Sequence, residues 1–374
     1  MEIAKIIGKN IEAVIKQNAM TIEECAKLIG VTRQTISKYI SGESVIDSGK
    51  LFTLARYFNK SIQYFMSVNE DTMSFMFRAE DPKNNFSPKD RDFINDKFNK
   101  IFNVLSITNL NKVIFIPESY KINVGKKLSL EDKMIIKEIA EKERRSFEIS
   151  SLSIGEIYSA LEQKNINIIA LEYDNLDLDA ISAYSNDKGA FIFINDSKDI
   201  PEERKLFSLM HEYAHLIFHR DMYLSSEGDL AYSTSRNDIN EKIANLFASY
   251  FLIPRDTLKK ESKKYSKFID LKAVCNLKKK YGVSAEALLY ALKDEEIINN
   301  GIYGHLRKKL NELGFATKEP QPLPYEDKNE KLHYILKELY INDKITSNMI
   351  SDLLGTNIIE TRKLLKEWNM DGYE

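Results

Sequence analysis

The segment Met210–His215 places two histidines four residues apart, with a glutamate directly after the first of them. The surrounding stretch, Arg204–Phe218, is largely apolar and contains neither glycine nor proline, which predicts an uninterrupted helix. Residues four apart on a helix share one face, so His211 and His215 can direct two imidazole nitrogens at one tetrahedral ion. Glu212 would lie beside that ion and could accept a proton from a water that the ion acidifies. The competing interpretation is a pair of ordinary histidines on a core-facing helix.

A catalytic zinc needs a third protein ligand and an open position. His219 continues the four-residue spacing, but it lies roughly 12 Å from His211 along a straight helix, so we expect it to contact a neighbouring group or to pack. Glu241 is the better candidate, because it begins a second predicted helix that can pack on the first; a solvated first-turn glutamate is the alternative. Tyr232 and His219 are both candidates for stabilising an oxyanion, and the sequence does not choose between them.

The region that contains this motif combines helices with a small β-sheet. A predicted helix, Ser153–Lys164, is followed by a β-rich run, Ile166–Tyr173. Two further strands, Ile181–Ser185 and Ala190–Asn195, are joined by a turn of Asn, Asp, Lys and Gly, which predicts a hairpin. The pattern after the hairpin is again helical, so the expected fold class is mainly α with a small β-sheet.

This α+β region resembles the ImmA/IrrE family of zinc metallopeptidases, which regulate bacterial and phage genes by cleaving repressor proteins. The resemblance is carried by four blocks in order: Arg204-x-x-Phe207-x-Leu209-x-His211-Glu212-x-x-His215-x-x-x-His219, Glu241-x-x-Ala244-Asn245-x-Phe247-Ala248, Leu252-Ile253-Pro254 and Tyr281-Gly282-Val283-Ser284. It implies a zincin-like fold in which His211, His215 and Glu241 bind Zn²⁺ and Glu212 is the general base. Tyr213 departs from the family, where Gly, Leu or Ile is commoner, and is expected to project away from the metal.

The same resemblance suggests how a substrate would bind. In zincin-like folds an edge strand pairs with an extended peptide through main-chain hydrogen bonds. The strand just before the metal-site helix contains Phe191–Asn195, and we expect this segment to be that edge.

Residues 1–67 predict five short helices, and the second and third, Thr21–Gly30 and Thr32–Ser41, flank a turn as in a helix-turn-helix. The third helix would enter the major groove of DNA with five outward polar side chains: Arg33, Gln34, Thr35, Ser37 and Lys38. The inward positions are Ala26, Ile29, Val31, Ile36 and Tyr39. Nine basic residues against six acidic ones make this segment mildly basic, which is compatible with DNA.

The segment resembles the XRE (phage repressor and Cro) helix-turn-helix family over essentially its whole length. Ile22 stands where many members have a glutamine, and Ile15 and Ile40 stand where some phage repressors have a buried Arg–Glu pair. This joint change to apolar residues keeps the packing consistent, so the fold is implied but individual operator contacts are not. Members often bind two half-sites as dimers, which by analogy suggests a homodimer. A helical bundle used only for protein contacts is the alternative.

Whole-chain composition limits the cellular setting. The formal net charge is -2, so any DNA-binding surface must be local. The two cysteines, Cys25 and Cys275, provide neither a disulfide framework nor a Cys-type zinc site, which is typical of a reducing cytosol. No apolar run approaches the ~18 residues of a membrane span, and the N-terminus lacks the pattern of a signal peptide. We expect a cytoplasmic protein with no membrane partner.

The patterns divide the chain into four segments. They are a helix-turn-helix domain at 1–67, a linker and helical region at 68–149, the peptidase-like domain at 150–300, and a proline-containing spacer with a C-terminal helical domain at 301–374.

Two weaker features stand out. Residues 255–280 hold ten basic and three acidic residues; such a run usually marks a solvated helix face, and the alternative is a surface for DNA or an acidic partner. Residues 345–368 again look like a helix-turn-helix. Since residues 328–374 hold seven basic and eight acidic residues, a protein-contact or packing role is favoured there.

Together the patterns predict a transcriptional regulator that binds double-stranded operator DNA and carries a zinc-dependent endopeptidase domain. The substrate would be a specific repressor or other partner protein, and this specificity follows from the resemblance alone. One alternative is a non-proteolytic repressor or antitoxin whose zinc domain is a sensor or structural module. Another is an interaction scaffold with an inactive site.

Overall fold

The computed structural model describes residues 2–17, 20–58, 62–66, 87–108, 118–125, 127–147, 154–185, 188–220, 234–265, 269–315 and 318–370. They fall into two compact units, within 1–74 and 75–374. Within the described ranges, no helix is both long and apolar enough to cross a membrane.

The described part of the first unit contains the five helices that the sequence predicts. They are α1 (Glu2–Gln17), α2 (Ile22–Leu28), α3 (Arg33–Ser41), α4 (Ser48–Tyr57) and α5 (Ile62–Met66). The start of α2 is fixed locally, because the Thr21 hydroxyl accepts from the Glu24 amide while the Glu24 carboxylate accepts from the Thr21 amide. The Asp47 carboxylate caps the start of α4 by accepting a hydrogen bond from the Lys50 amide.

The core of this unit is apolar where some phage repressors carry charge. Ile15 is buried and Ile40 packs against the same cluster, so the paired apolar replacement is satisfied by packing. Helix α1 approaches α3 so closely that a Cβ on Gly8 would lie 2.3 Å from the Tyr39 carbonyl oxygen. Glycine is therefore required at this contact. The Cys25 thiol is buried, which raises its pKa to about 11 and leaves it a packing residue.

The second unit surrounds a three-stranded sheet with helices. Its elements are α6 (Pro88–Ile107), α7 (Leu130–Ser146), α8 (Ile154–Gln163), β1 (Ile166–Leu171), β2 (Ala180–Ser185), β3 (Gly189–Asn195), α9 (Glu202–Phe218), α10 (Thr234–Leu252), α11 (Arg255–Ser262), α12 (Leu271–Tyr281), α13 (Ala285–Asp294), α14 (Asn300–Glu312), α15 (Glu330–Ile341), α16 (Ser347–Leu354) and α17 (Ile358–Met370). The mainly α fold class with a small sheet is confirmed.

The strand order corrects one expectation. The predicted hairpin is present, since β2 pairs antiparallel with β3, but β1 adds parallel to the other side of β3. The order is β1-β3-β2, so Phe191–Asn195 lies in the central strand and cannot be the edge that binds substrate. The continuous apolar run Ala190–Ile194 is buried on both faces, as is typical of a central strand.

The two faces of the sheet cover two cores. Ile192 belongs to the core shared with α9 and α10. Phe191 and Phe193 point to the other core, which is formed with α6, α15, α16 and α17. The described residues of the predicted segments 68–149, 150–300 and 301–374 therefore contribute to shared cores around one sheet. The boundaries between these segments stay predictions.

Candidate metal centre

Helix α9 brings the two histidines of the motif together. The Nε2 atoms of His211 and His215 lie 2.9 Å apart. Helix α10 packs along α9 and supplies Glu241, whose Oε2 is 3.1 Å from His211 Nε2 and whose Oε1 is 3.6 Å from His215 Nε2. The three ligand atoms all lie within 4.8 Å of one another.

This donor set fits a zinc ion in type and size. Imidazole nitrogen and carboxylate oxygen are ordinary zinc ligands, and Zn–N distances of about 2.0–2.1 Å at tetrahedral angles place donors about 3.3 Å apart. The observed separations bracket that value. The His215 side chain is completely buried, whereas 12% of His211 and 28% of Glu241 is exposed, so the centre faces solvent on one side. Two histidines, one carboxylate and an open side are typical of a catalytic centre.

Each histidine is oriented by a partner on its other ring nitrogen. Asn245 lies one turn after Glu241 on α10, and its Oδ1 is 3.0 Å from His211 Nδ1. The amide oxygen only accepts, so this contact fits the His211 tautomer that carries its proton on Nδ1 and leaves the Nε2 lone pair for an ion. His215 Nδ1 lies 2.9 Å from His219 Nδ1. His219 thus contacts a predicted ligand from outside the donor set.

Removing the Asn245 contact is expected to weaken metal binding. Groups that orient metal-binding histidines typically account for about 10–100-fold in affinity, so we expect Asn245→Ala to lower zinc affinity by that factor, measured by competition with a chelator. The matched control is Asn276→Ala, at an exposed position on α12. Equal zinc affinity in both variants would show that Asn245 does not hold His211.

Glu212 faces the sheet rather than solvent. Only 3% of it is exposed, and the Ser182 hydroxyl on β2 donates a hydrogen bond to its carboxylate. The sequence gives no sign that Ser182 contacts Glu212, because one serine in an apolar strand has no distinguishing pattern. The contact depends on β2 packing beside α9, which only the tertiary fold provides.

Tyr213 lies on the side of α9 that faces away from the metal centre. Its hydroxyl donates to Glu143 Oε2 on α7 at 2.6 Å, and the Tyr120 hydroxyl donates to Glu143 Oε1 at the same distance. Burial raises the pKa of Tyr213 well above its usual value, and the Glu143 carboxylate raises it further. The phenol is therefore a neutral donor, and this departure from the resembled family joins α9 to α7 away from the metal centre.

Buried ion pairs fix the start of α9. Lys205 Nζ lies 2.8 Å from carboxylate oxygens of both Asp196 and Glu202, and Lys328 Nζ lies 2.8 Å from the same two carboxylates. Both lysine side chains are at most 1% exposed. We call these four residues the buried ion cluster. It joins the metal-site helix to the C-terminal segment 301–374.

The same segment covers one edge of the sheet. The Asn329 side chain accepts from the Ala170 amide at 3.0 Å and donates to the Ala170 carbonyl at 2.7 Å. It thereby occupies main-chain groups of β1 that a further strand would use. On α12, Lys278 Nζ lies 2.5 Å from Glu203 Oε1 and 3.1 Å from Glu319 Oε2. The Lys278 and Glu203 side chains are at most 1% exposed, and that of Glu319 is 14% exposed.

The remaining predicted site residues lie elsewhere or outside the described residues. In the first unit, Arg33, Gln34, Ser37 and Lys38 are exposed on α3, and Thr35 is partly exposed. The Thr35 hydroxyl is 2.8 Å from that of Thr32, the residue that caps α3. Tyr232 lies outside the described residues.

Comparisons with known proteins agree with both resemblances. A family model described as an IrrE N-terminal-like domain matches residues 161–293, and a helix-turn-helix model matches residues 11–65. The chain is also similar to "Antitoxin PezA" of Streptococcus pneumoniae serotype 4, at 32% identity over 68 residues. The match covers 18% of this chain and 42% of that protein, so the chain spans less than half the length of this relative.

The chain therefore carries a helix-turn-helix domain of the XRE type followed by an IrrE-like domain of a metallopeptidase family.

Proposed function

We propose that this protein is a DNA-binding transcriptional regulator whose IrrE-like domain is a zinc endopeptidase that cleaves a specific repressor or partner protein. The observation that carries the proposal is the convergence of His211, His215 and Glu241, with Glu212 next to the first of them on the same helix. The cytoplasm is the expected compartment.

The chain's own residues divide the chemistry among them. When bound, zinc would supply a Lewis acid that acidifies a water molecule and polarises the scissile carbonyl. Glu212 accepts the proton of the attacking water and passes it to the leaving amine nitrogen. The hydrogen bond from Ser182 restricts the rotation of the Glu212 carboxylate. Asn245 and His219 keep the two imidazoles oriented.

Strand β2 is the other edge of the three-stranded sheet. All six of its residues are buried, so a peptide that pairs with it would displace the groups that cover this edge. The Asn195 amide donates to the Asp179 carbonyl at 2.8 Å, and antiparallel pairs alternate in direction. The main-chain groups of Ala180, Ser182 and Tyr184 therefore point away from β3. Because Asn329 already occupies part of the β1 edge, we assign peptide pairing to β2, the strand that also contacts Glu212.

The DNA-binding role rests on α3 and the helix-turn-helix match at 11–65. Its exposed polar side chains would contact operator DNA, and a homodimer would place two such helices on two half-sites. A second candidate function, an antitoxin or non-proteolytic repressor, is favoured by the short match to Antitoxin PezA. In that case the zinc domain would be a sensor or a structural module.

The experiment that separates these functions is a search for new protein N-termini. Cells producing the wild type are compared with cells producing His211→Ala, and the control is His305→Ala at an exposed position. We expect at least one protein to be cut in wild-type and control cells only. Identical sets of N-termini in all three would favour the non-proteolytic repressor or antitoxin.

A further inference from the structure

Helix α11, the 3-10 turn Lys263–Tyr265 that follows it, and helix α12 present exposed lysines, which we call the lysine face. Within the described residues 255–265 and 269–281, seven lysines are exposed: Lys259, Lys260, Lys263, Lys264, Lys272, Lys279 and Lys280. The two helices are neighbours, because Glu261 near the end of α11 accepts from Lys280 at the end of α12, 3.0 Å away. This contact places the lysine-bearing C-terminal ends of α11 and α12 side by side, in a chain whose formal net charge is -2.

Most of this charge is not neutralised within the described part of the chain. Lys264 and Lys280 share the single carboxylate of Glu261, and Lys259 pairs with Glu295. The other four lysines have no ion-pair partner among the described residues: Lys260, Lys263, Lys272 and Lys279.

Helix dipoles account for only part of the pattern. A lysine in a last turn is stabilised by the helix C-terminus. This explains Lys259 and Lys260 at the end of α11 and Lys279 and Lys280 at the end of α12. Lys272, however, lies in the first turn of α12, where the dipole disfavours a cation. Lys272 is thus a cation that its own helix does not favour.

We propose that the lysine face contacts the phosphate backbone of double-stranded DNA, independently of sequence. Its exposed cations are all lysines, which bind phosphate as point charges, whereas Arg255 is buried. Backbone contacts of this kind position a protein without reading bases. The proposal rests on the proposed DNA binding of 11–65, since a chain held on DNA by one unit has a high local concentration of phosphate around its other unit. It does not depend on peptidase activity.

The test is the salt dependence of full-length protein binding to a duplex of about 30 base pairs without an operator. One variant changes Lys260, Lys263, Lys272 and Lys279 to glutamine. A matched control changes four exposed lysines elsewhere: Lys308, Lys318, Lys344 and Lys366. A third variant, Arg33→Ala with Lys38→Ala, weakens α3. Zinc content and thermal melting confirm that each variant is folded.

Each phosphate contact contributes about 0.9 to the slope of log affinity against log salt concentration. We expect the lysine-face variant to reduce that slope by about three to four and to bind at least about tenfold more weakly near 0.1 M salt. The four-lysine control should keep the wild-type slope.

An unchanged slope in the lysine-face variant, with weaker binding in the α3 variant, would contradict DNA contact by the lysine face. It would leave the proposed DNA binding of 11–65 intact. Equal losses in the lysine-face variant and the four-lysine control would also overturn it, because total charge would then be the cause. A lower slope and weaker DNA binding in the lysine-face variant alone would support DNA contact by the lysine face. It would also show that α3 is not the main DNA contact.

Discussion

Replacing Glu212 with glutamine is expected to slow peptide-bond cleavage by about 10²–10⁴-fold, the usual contribution of a general base. The amide keeps the size of the side chain and can still hydrogen-bond to the Ser182 hydroxyl, but it cannot take a proton from water. Glu212 lies outside the three-residue donor set, so zinc content should stay at the wild-type level. The measurement is the cleavage rate of the substrate identified by its new N-terminus, together with elemental analysis of the same preparation.

The matched control for this variant is Glu138→Gln, an exposed glutamate on α7, which should cleave at the wild-type rate. A Glu212→Gln protein that binds zinc and cleaves within about threefold of wild type would show that another group removes the proton. Loss of zinc in this variant would place Glu212 among the ligands instead.

Replacing Lys328 with methionine is expected to lower the free energy of unfolding by about 3–5 kcal/mol, the cost of breaking a buried ion pair from one side. Lys328 is fully buried and lies 2.8 Å from both Asp196 and Glu202. Without its charge, Lys205 alone would balance two buried carboxylates. The measurement is the denaturant midpoint and slope of the second unit, in wild type and variant.

The control is Lys344→Met, at an exposed lysine, where we expect a change of no more than about 0.5 kcal/mol. Combining Lys328→Met with Asp196→Asn removes one charge of each sign and should destabilise by less than the sum of the two single changes. A loss below about 1 kcal/mol in Lys328→Met would contradict the stabilising role of the buried ion cluster. Because this cluster includes two residues of α9, we also expect faster amide exchange at the start of that helix.

Features set by neighbours in sequence could be predicted, and features set by distant residues could not. The spacing of His211 and His215 and the capping box at Thr21 depend on one or two helical turns, so the sequence carries them directly. Glu241 could be predicted because the pattern of its helix implies packing against the histidine helix.

The errors and omissions have one physical cause. Placing β3 at an edge was wrong, because nothing local shows on which side of a hairpin a parallel strand will add. The prediction of a spacer and a C-terminal helical domain at 301–374 did not include its contacts with the sheet. Lys328 bonds to residues more than 120 positions earlier, and Asn329 bonds to Ala170, 159 positions earlier. Such pairings depend on tertiary structure and leave no periodic signal in the chain.

The most direct test of the central claim is the zinc content of the untagged protein, measured by elemental analysis for wild type, Glu241→Ala and the control Glu138→Ala. We expect about one zinc per chain in wild type and control, with a clear loss in Glu241→Ala. Absence of zinc from all three proteins, even after reloading, would contradict the peptidase proposal and leave a DNA-binding regulator with an inactive enzyme fold.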